Sequence, residues 1–186
     1  MALRTRWVTR ANGLTLLRLL AAPVFAVAVS AGAPRFAVAL FVLAVATDLA
    51  DGWVARRFGE TSPHGALVDH AVDAIFVSTG AAALAAAGVL PAVLPVLIAC
   101  AFLQYALDSR LTAARGLRGS ALGRWNGIGY YVIVGTPVVR EALGLGWPGA
   151  GLVMALGWGL VASTLVSMGD RLRRLVLARR SPGSPS

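Results

Sequence analysis

The sequence contains no lysine: all 17 of its basic residues are arginine. It has one cysteine, two histidines and eight acidic residues, and charged residues make up only 13% of the chain. A lone Cys100 inside an apolar run excludes an internal disulfide and gives no reading of redox compartment, so packing is its expected job. Scarce charge, 58% hydrophobic residues and a mean hydropathy of +0.74 exclude an ordinary soluble domain and point to membrane residence. A net charge of +9 at first suggests a nucleic-acid binder. The arginines, however, fall between apolar runs rather than on a polar domain, so the excess reads as membrane topology and nucleic acid is set aside as a partner.

What is present is a succession of apolar runs, about Leu14 to Gly32, Phe36 to Arg56, Gly65 to Gly88, Val89 to Leu107, Gly127 to Leu143 and Trp147 to Met168. Each is near the roughly 20 residues that a bilayer-spanning helix needs. Turn signals separate them: Ala33-Pro34, Thr61-Ser62-Pro63, Gly88 with Pro91, and Gly144 to Pro148. The prediction is an all-α membrane protein of six transmembrane helices, a single domain over residues 1–180. Residues 1–12, with Trp7 among Arg4, Arg6 and Arg10, suit a short interfacial helix, and the Ser/Pro/Gly tail 181–186 is expected to be disordered. The basic start and the small residues Ala31-Gly32-Ala33 also fit a signal peptide, but Arg18 interrupts the apolar run and five more spans follow, which favours an uncleaved first helix.

Placing the first loop outside puts Arg57, Arg110, Arg115, Arg118, Arg124, Arg171, Arg173, Arg174, Arg179 and Arg180 inside together with the N-terminal arginines, against Arg35 and Arg140 outside. The positive-inside rule then sets both termini in the cytoplasm. An integral, multi-pass protein of a bacterial inner or plasma membrane is the expectation.

Four of the few acidic residues, Asp48, Asp51, Asp69 and Asp73, fall at the cytoplasmic ends of spans two and three. An Asp at the centre of a membrane helix costs about 2.5 to 3.5 kcal/mol on the translocon scale, less near an interface, and four close together also repel. The first two are spaced i,i+3 and the last two i,i+4, so each pair shares a helix face. A cation would relieve the repulsion. Hard oxygen donors suit Mg2+, Mn2+ or Ca2+ and argue against Zn2+, for which the region offers only His64 and His70. The plainer alternative is interfacial ion pairing with Arg56, Arg57 or another arginine.

From Asp48 the chain reads DLADGWVARRFGETSPHGALVDHAVD. This resembles the CDP-alcohol phosphatidyltransferase signature D-x2-D-G-x2-A-R-x8-G-x3-D-x3-D, met at Asp48, Asp51, Gly52, Ala55, Arg56, Gly65, Asp69 and Asp73. The resemblance implies phospholipid biosynthesis, with a phosphatidyl group moving from CDP-diacylglycerol to a small alcohol and CMP released. It also implies a binuclear Mg2+ or Mn2+ site held by the four aspartates, Asp73 as general base, and a homodimer among membrane lipids. Asp48, Asp51, Gly52, Ala55, Arg56 and Gly65 would then hold the CDP moiety. The small residues leave room for cytidine, although close helix packing also explains them. Gly65 permits a tight entry into span three behind Pro63 in the loop. His64 and His70 read as polar neighbours rather than ligands.

The stretch Asn12-Gly13-Leu14-Thr15-Leu16-Leu17-Arg18 is similar to the N-x-L-T-x-x-R opening of phosphatidylglycerophosphate synthases. An arginine within a span needs an anionic partner, and Arg18 is assigned to a motif Asp or to bound phosphate. Arg110, Arg115, Arg118 and Arg124, read as one loop, are candidates for reading a phosphorylated acceptor, because guanidinium groups bind phosphate well. Glycerol 3-phosphate is the leading acceptor. The chain departs from those synthases in having Ala74-Ile75 after Asp73, without their Lys, and in lacking their Arg-Glu-Phe pattern after span four. Phosphatidylglycerol, as in cardiolipin synthesis, and inositol phosphate are therefore kept as alternatives. Outside the family, a small ion or proton transporter would also use intramembrane carboxylates, but it has no need of Gly52, Ala55, Arg56 and Gly65 at these offsets.

Overall fold

The computed structural model describes residues 10–58, 63–112 and 121–180. It is all-helical there: α1 (Arg10–Ser30), α2 (Pro34–Phe58), α3 (Pro63–Ala86), α4 (Leu94–Thr112), α5 (Ala121–Ala142) and α6 (Ala150–Arg180). Of these, α1, α3 and α6 contain stretches long and apolar enough to cross a membrane, at Gly13–Ser30, Gly65–Ala86 and Ala150–Arg174. In α4 the apolar stretch is shorter, Leu94–Leu107. Polar residues lower the hydropathy of the other two helices: Asp48 and Asp51 on α2, Arg124 and Asn126 on α5. The expected interfacial segment lies outside the described residues up to residue 9, after which α1 has begun, and the tail 181–186 lies outside them too.

Helix ends follow local chemistry. Gly32, Gly88 and Gly144 take positive φ just after α1, α3 and α5, where a side chain is disfavoured. The next amide in each case reaches back five residues, as in Ala33 N–H to Ala28 C=O at 3.0 Å, Val89 to Leu84 at 2.9 Å and Leu145 to Arg140 at 2.9 Å. Pro34 and Pro63 open α2 and α3, where a missing N–H costs nothing. Pro63 is thus the first residue of a helix rather than part of the loop. Span four starts at Leu94 instead of Val89, because the Gly88 turn and Pro91 delay it. Both α5 and α6 are longer than expected, starting six residues earlier and ending twelve later, respectively.

α1 packs against both α2 and α3, while α4, α5 and α6 close the other side of the bundle. At the centre, Phe25 stacks on Phe76 with centroids 5.0 Å apart, and Phe41 tilts against both. Glycines seat these rings: a Cβ on Gly135 would lie 2.4 Å from Phe41 Cζ and 2.6 Å from Cε1. Small residues that let helices approach are how apolar helices gain packing energy within a membrane. Gly135→Ala is therefore expected to push the Phe41 ring aside and cost about 1 to 3 kcal/mol. Thermal unfolding in detergent measures this, and an unchanged midpoint would show that the ring yields freely.

Candidate active site

Arg18, one turn inside α1 from Thr15, is completely buried, and its guanidinium is the hub on which α2 and α3 converge. Nη2 bonds Asp51 Oδ2 at 2.8 Å. Nη1 is 3.1 Å from Asp69 Oδ1 and 3.4 Å from Asp48 Oδ1, and it also bonds Asp73 Oδ1. Thr15 adds a hydroxyl to Asp51 Oδ2 at 3.3 Å. The i,i+3 and i,i+4 spacings thus place the four carboxylates around one point, as their sequence pattern requires. Among the described residues, the arginine that joins them comes from α1.

This donor set fits divalent cations. Four carboxylates around one guanidinium leave negative charge uncompensated, and Asp51 Oδ1 is buried without a partner among the described residues. An orphaned buried carboxylate oxygen is costly unless something binds it. Asp69, His70 and Asp73 each offer a ligand atom within 4.8 Å of the others. His70 also stacks on Tyr105, with centroids 5.5 Å apart.

Asp48 and Asp73 border a cavity of about 990 Å3 that runs between α3, α4, α5 and α6. Arg124 and Arg171 line the same cavity. A Cβ on Gly123 would meet Arg171 Nη2 at 3.0 Å, so the bare glycine leaves this guanidinium its place, and Arg171 also lies over the Tyr105 ring at 5.3 Å. Polar groups on α4, α5 and α6 line it too. Ser163 donates to Asn126 Oδ1 at 2.6 Å, and Gln104 Nε2 donates to the Met168 carbonyl at 3.0 Å. The other halves of these two amides, Asn126 Nδ2 and Gln104 Oε1, are buried and have no partner among the described residues.

Several expected site residues are described only in part or not at all. Gly52, Ala55 and Arg56 lie in the last turns of α2 and Arg110 in the last turn of α4, but their side chains are outside the described set. Arg115 and Arg118 lie outside the described residues altogether, as does the side chain of His64 on α3. Gly65 is in the first turn of α3. Arg110 and Arg124 belong to helices rather than to one loop.

Two contributors were missed. Arg171 reads in the sequence only as one more inside charge. Tyr131, whose hydroxyl bonds Asp73 Oδ1 at 2.8 Å, carries no signal at all in an apolar run.

The family model for CDP-alcohol phosphatidyltransferases matches residues 8–166. Two mycobacterial relatives carry provisional names: a phosphatidylglycerophosphate synthase from Mycobacterium tuberculosis, 39% identical over 101 residues, 51% of this chain and 48% of that protein, and a cardiolipin synthase from Mycobacterium bovis, 36% identical over 89 residues, 47% and 43% of the two chains. The CDP-diacylglycerol--glycerol-3-phosphate 3-phosphatidyltransferase of Cereibacter sphaeroides is 44% identical over 70 residues, 36% and 32% of the two chains. The chain thus spans half or less of the length of the curated relatives it matches. No solved structure matches it.

Proposed function

The chain belongs to the CDP-alcohol phosphatidyltransferase family, and from that premise we propose that it transfers a phosphatidyl group from CDP-diacylglycerol to glycerol 3-phosphate and releases CMP. One observation carries this reading: a cavity bordered by carboxylates of the signature also holds two arginines, Arg124 and Arg171. Carboxylates with divalent cations suit a pyrophosphate, and guanidinium groups suit the phosphate of a second substrate.

Asp48, Asp51, Asp69 and Asp73 would hold two ions, Mg2+ or Mn2+. When bound, these supply charge neutralisation for the pyrophosphate and for the departing CMP. Asp73, at the cavity edge, takes the proton of the acceptor hydroxyl. The freed oxygen forms a bond to the phosphorus that carries diacylglycerol, and the bond from that phosphorus to CMP breaks, with its electron pair leaving on CMP. Arg124 and Arg171 hold the acceptor phosphate, so that the reacting hydroxyl is presented rather than found by diffusion. Gly52, Ala55, Arg56 and Gly65 are assigned to the CDP moiety and Arg18 to the carboxylates.

The same proposal has all six helices spanning a bacterial inner membrane, with the site and both termini cytoplasmic, and two copies forming a homodimer. Helix length supports six spans, since 19 to 31 residues per helix correspond to about 28 to 46 Å at 1.5 Å per residue. Outward-facing Leu20, Val42, Leu103, Val132 and Leu156 give the bundle an apolar exterior on five of its helices.

Phosphatidylglycerol is the second acceptor to test, because one relative is named for cardiolipin synthesis. Purified protein incubated with CDP-diacylglycerol and glycerol 3-phosphate, phosphatidylglycerol, inositol phosphate or serine should release CMP with the first, and only when Mg2+ or Mn2+ is present. Release with another acceptor alone overturns the acceptor assignment, and release in excess chelator overturns the metal assignment. Arg171→Gln is expected to raise the KM for glycerol 3-phosphate roughly 10- to 100-fold, as for a lost hydrogen bond to a charged group, with the KM for CDP-diacylglycerol little changed.

A further inference from the structure

We propose that Tyr131 is a positioning residue for Asp73: it fixes which carboxylate oxygen receives the acceptor's proton. The inference rests on the reading of Asp73 as general base. Tyr131 donates its hydroxyl to Asp73 Oδ1 at 2.8 Å, and Arg18 bonds the same oxygen. Among the described residues, both bonds to this carboxylate fall on Oδ1, which leaves the lone pairs of Oδ2 for an ion and for the acceptor hydroxyl. Asp73 and Tyr131 both line the cavity in which that acceptor is placed.

The phenol is itself held. Its ring lies against Phe76 with centroids 6.4 Å apart and planes 16° apart, and against Phe41 at 6.3 Å. Phe76 is fully buried and sits three residues after Asp73 on α3, so ring and hydroxyl both dock α5 on the same stretch of helix. A carboxylate on a two-torsion side chain otherwise exchanges its oxygens by rotating about χ2. Two donors on one oxygen suppress that rotation. Tyr131 does so as a neutral group, without adding a second positive charge to the one Arg18 supplies. General-base catalysis is steeply sensitive to placement, which is why a donor that never touches the substrate alters turnover.

The test uses the full chain in detergent, with CDP-diacylglycerol and glycerol 3-phosphate as substrates. Tyr131→Phe removes one oxygen and keeps the ring. It is expected to lower kcat about 10-fold or more while both KM values stay within about twofold, a split that loss of packing alone does not produce. In an Asp73→Asn background the same substitution is expected to change the residual rate by less than about twofold, since residues that act as a unit are non-additive. Rates are taken per folded molecule, with the folded fraction read from thermal unfolding.

An unchanged kcat in Tyr131→Phe, with or without lost stability, overturns the proposal and leaves the reading of Asp73 intact. An equal loss in both backgrounds overturns it as well, because Tyr131 then acts elsewhere. If Asp73→Asn alone keeps its rate at saturation, the base assignment itself fails and takes this inference with it.

Discussion

Asp73→Asn is expected to cut the single-turnover rate of CMP release by about 10²- to 10⁴-fold, the range of a general base, while the affinity for CDP-diacylglycerol changes much less. Asparagine keeps the size of aspartate and an oxygen that can still accept from Tyr131 and Arg18, so the fold around it has little reason to move. What disappears is the negative charge and the basic oxygen at the cavity edge. A group needed only when the hydroxyl loses its proton lowers the rate in the transition state without weakening ground-state binding. Nucleotide-lipid affinity and single-turnover rate measured on one preparation separate the possibilities. Collapse of affinity with a surviving rate at saturation would make Asp73 chiefly a metal or substrate ligand, with no role as base, and send the search for a base elsewhere. Asp48→Ala or Asp69→Ala should behave differently, nearly abolishing release and weakening its dependence on divalent metal, because a ligand rather than a base is lost.

Replacing Arg18 should produce the largest loss of stability. Its guanidinium is fully buried and contacts all four motif aspartates, so Arg18→Leu leaves their charges facing one another, with Asp51 buried and the other three only partly open to solvent. Breaking a buried ion pair from one side typically costs about 3 to 5 kcal/mol. Lysine is not a repair, since a single ammonium cannot reproduce a planar fork that bonds Asp51 through one nitrogen and the other three aspartates through the second. Divalent cations bind the same carboxylates in our reading, so Mn2+ should raise the unfolding temperature of Arg18→Leu more than that of the unaltered protein. Thermal unfolding in detergent, in chelator and again in Mn2+, reads both effects. Equal stability of the two proteins in chelator would refute the idea that Arg18 holds the cluster together.

How much of this was visible in the sequence varies by residue. The carboxylate cluster was, because scarce acidic residues at i,i+3 and i,i+4 have few reasons to lie in apolar helices, and Arg18 announced a need for an anion by interrupting an apolar run. That its partners are all four aspartates was not visible, because the contacts join α1 to residues 30 to 55 positions further on. Tyr131 was invisible for a similar reason: its bond spans 58 residues, and a tyrosine in an apolar run usually reads as packing or an interface anchor. Arg171 was hidden by its own neighbours, as Arg173 and Arg174 made it one more member of a topological charge group. Helix existence was legible from hydropathy, but the start of α4 was not, because Val89 and Leu90 continue the apolar composition through a turn. The extra turns of α6 were missed because arginines ended the apolar run without ending the helix.

Arg18 and its four aspartates all come from the first three helices. Chains are made from the N-terminus, and units tend to form in that order. The aspartate cluster with its arginine can therefore assemble in the nascent polypeptide once α3 has entered the bilayer, whereas the arginines and amides that line the cavity arrive later on α4, α5 and α6. Until α3 arrives, Arg18 has two of the four motif aspartates, Asp48 and Asp51, as partners, so insertion of the third helix both balances the arginine more fully and completes the cluster. On the proposed reading, this division along the chain would let substitutions in the second half retune which alcohol is read while leaving the phosphorus chemistry of the first half untouched. Tyr131 is a polar cross-link between the two, and a position at which that independence ends.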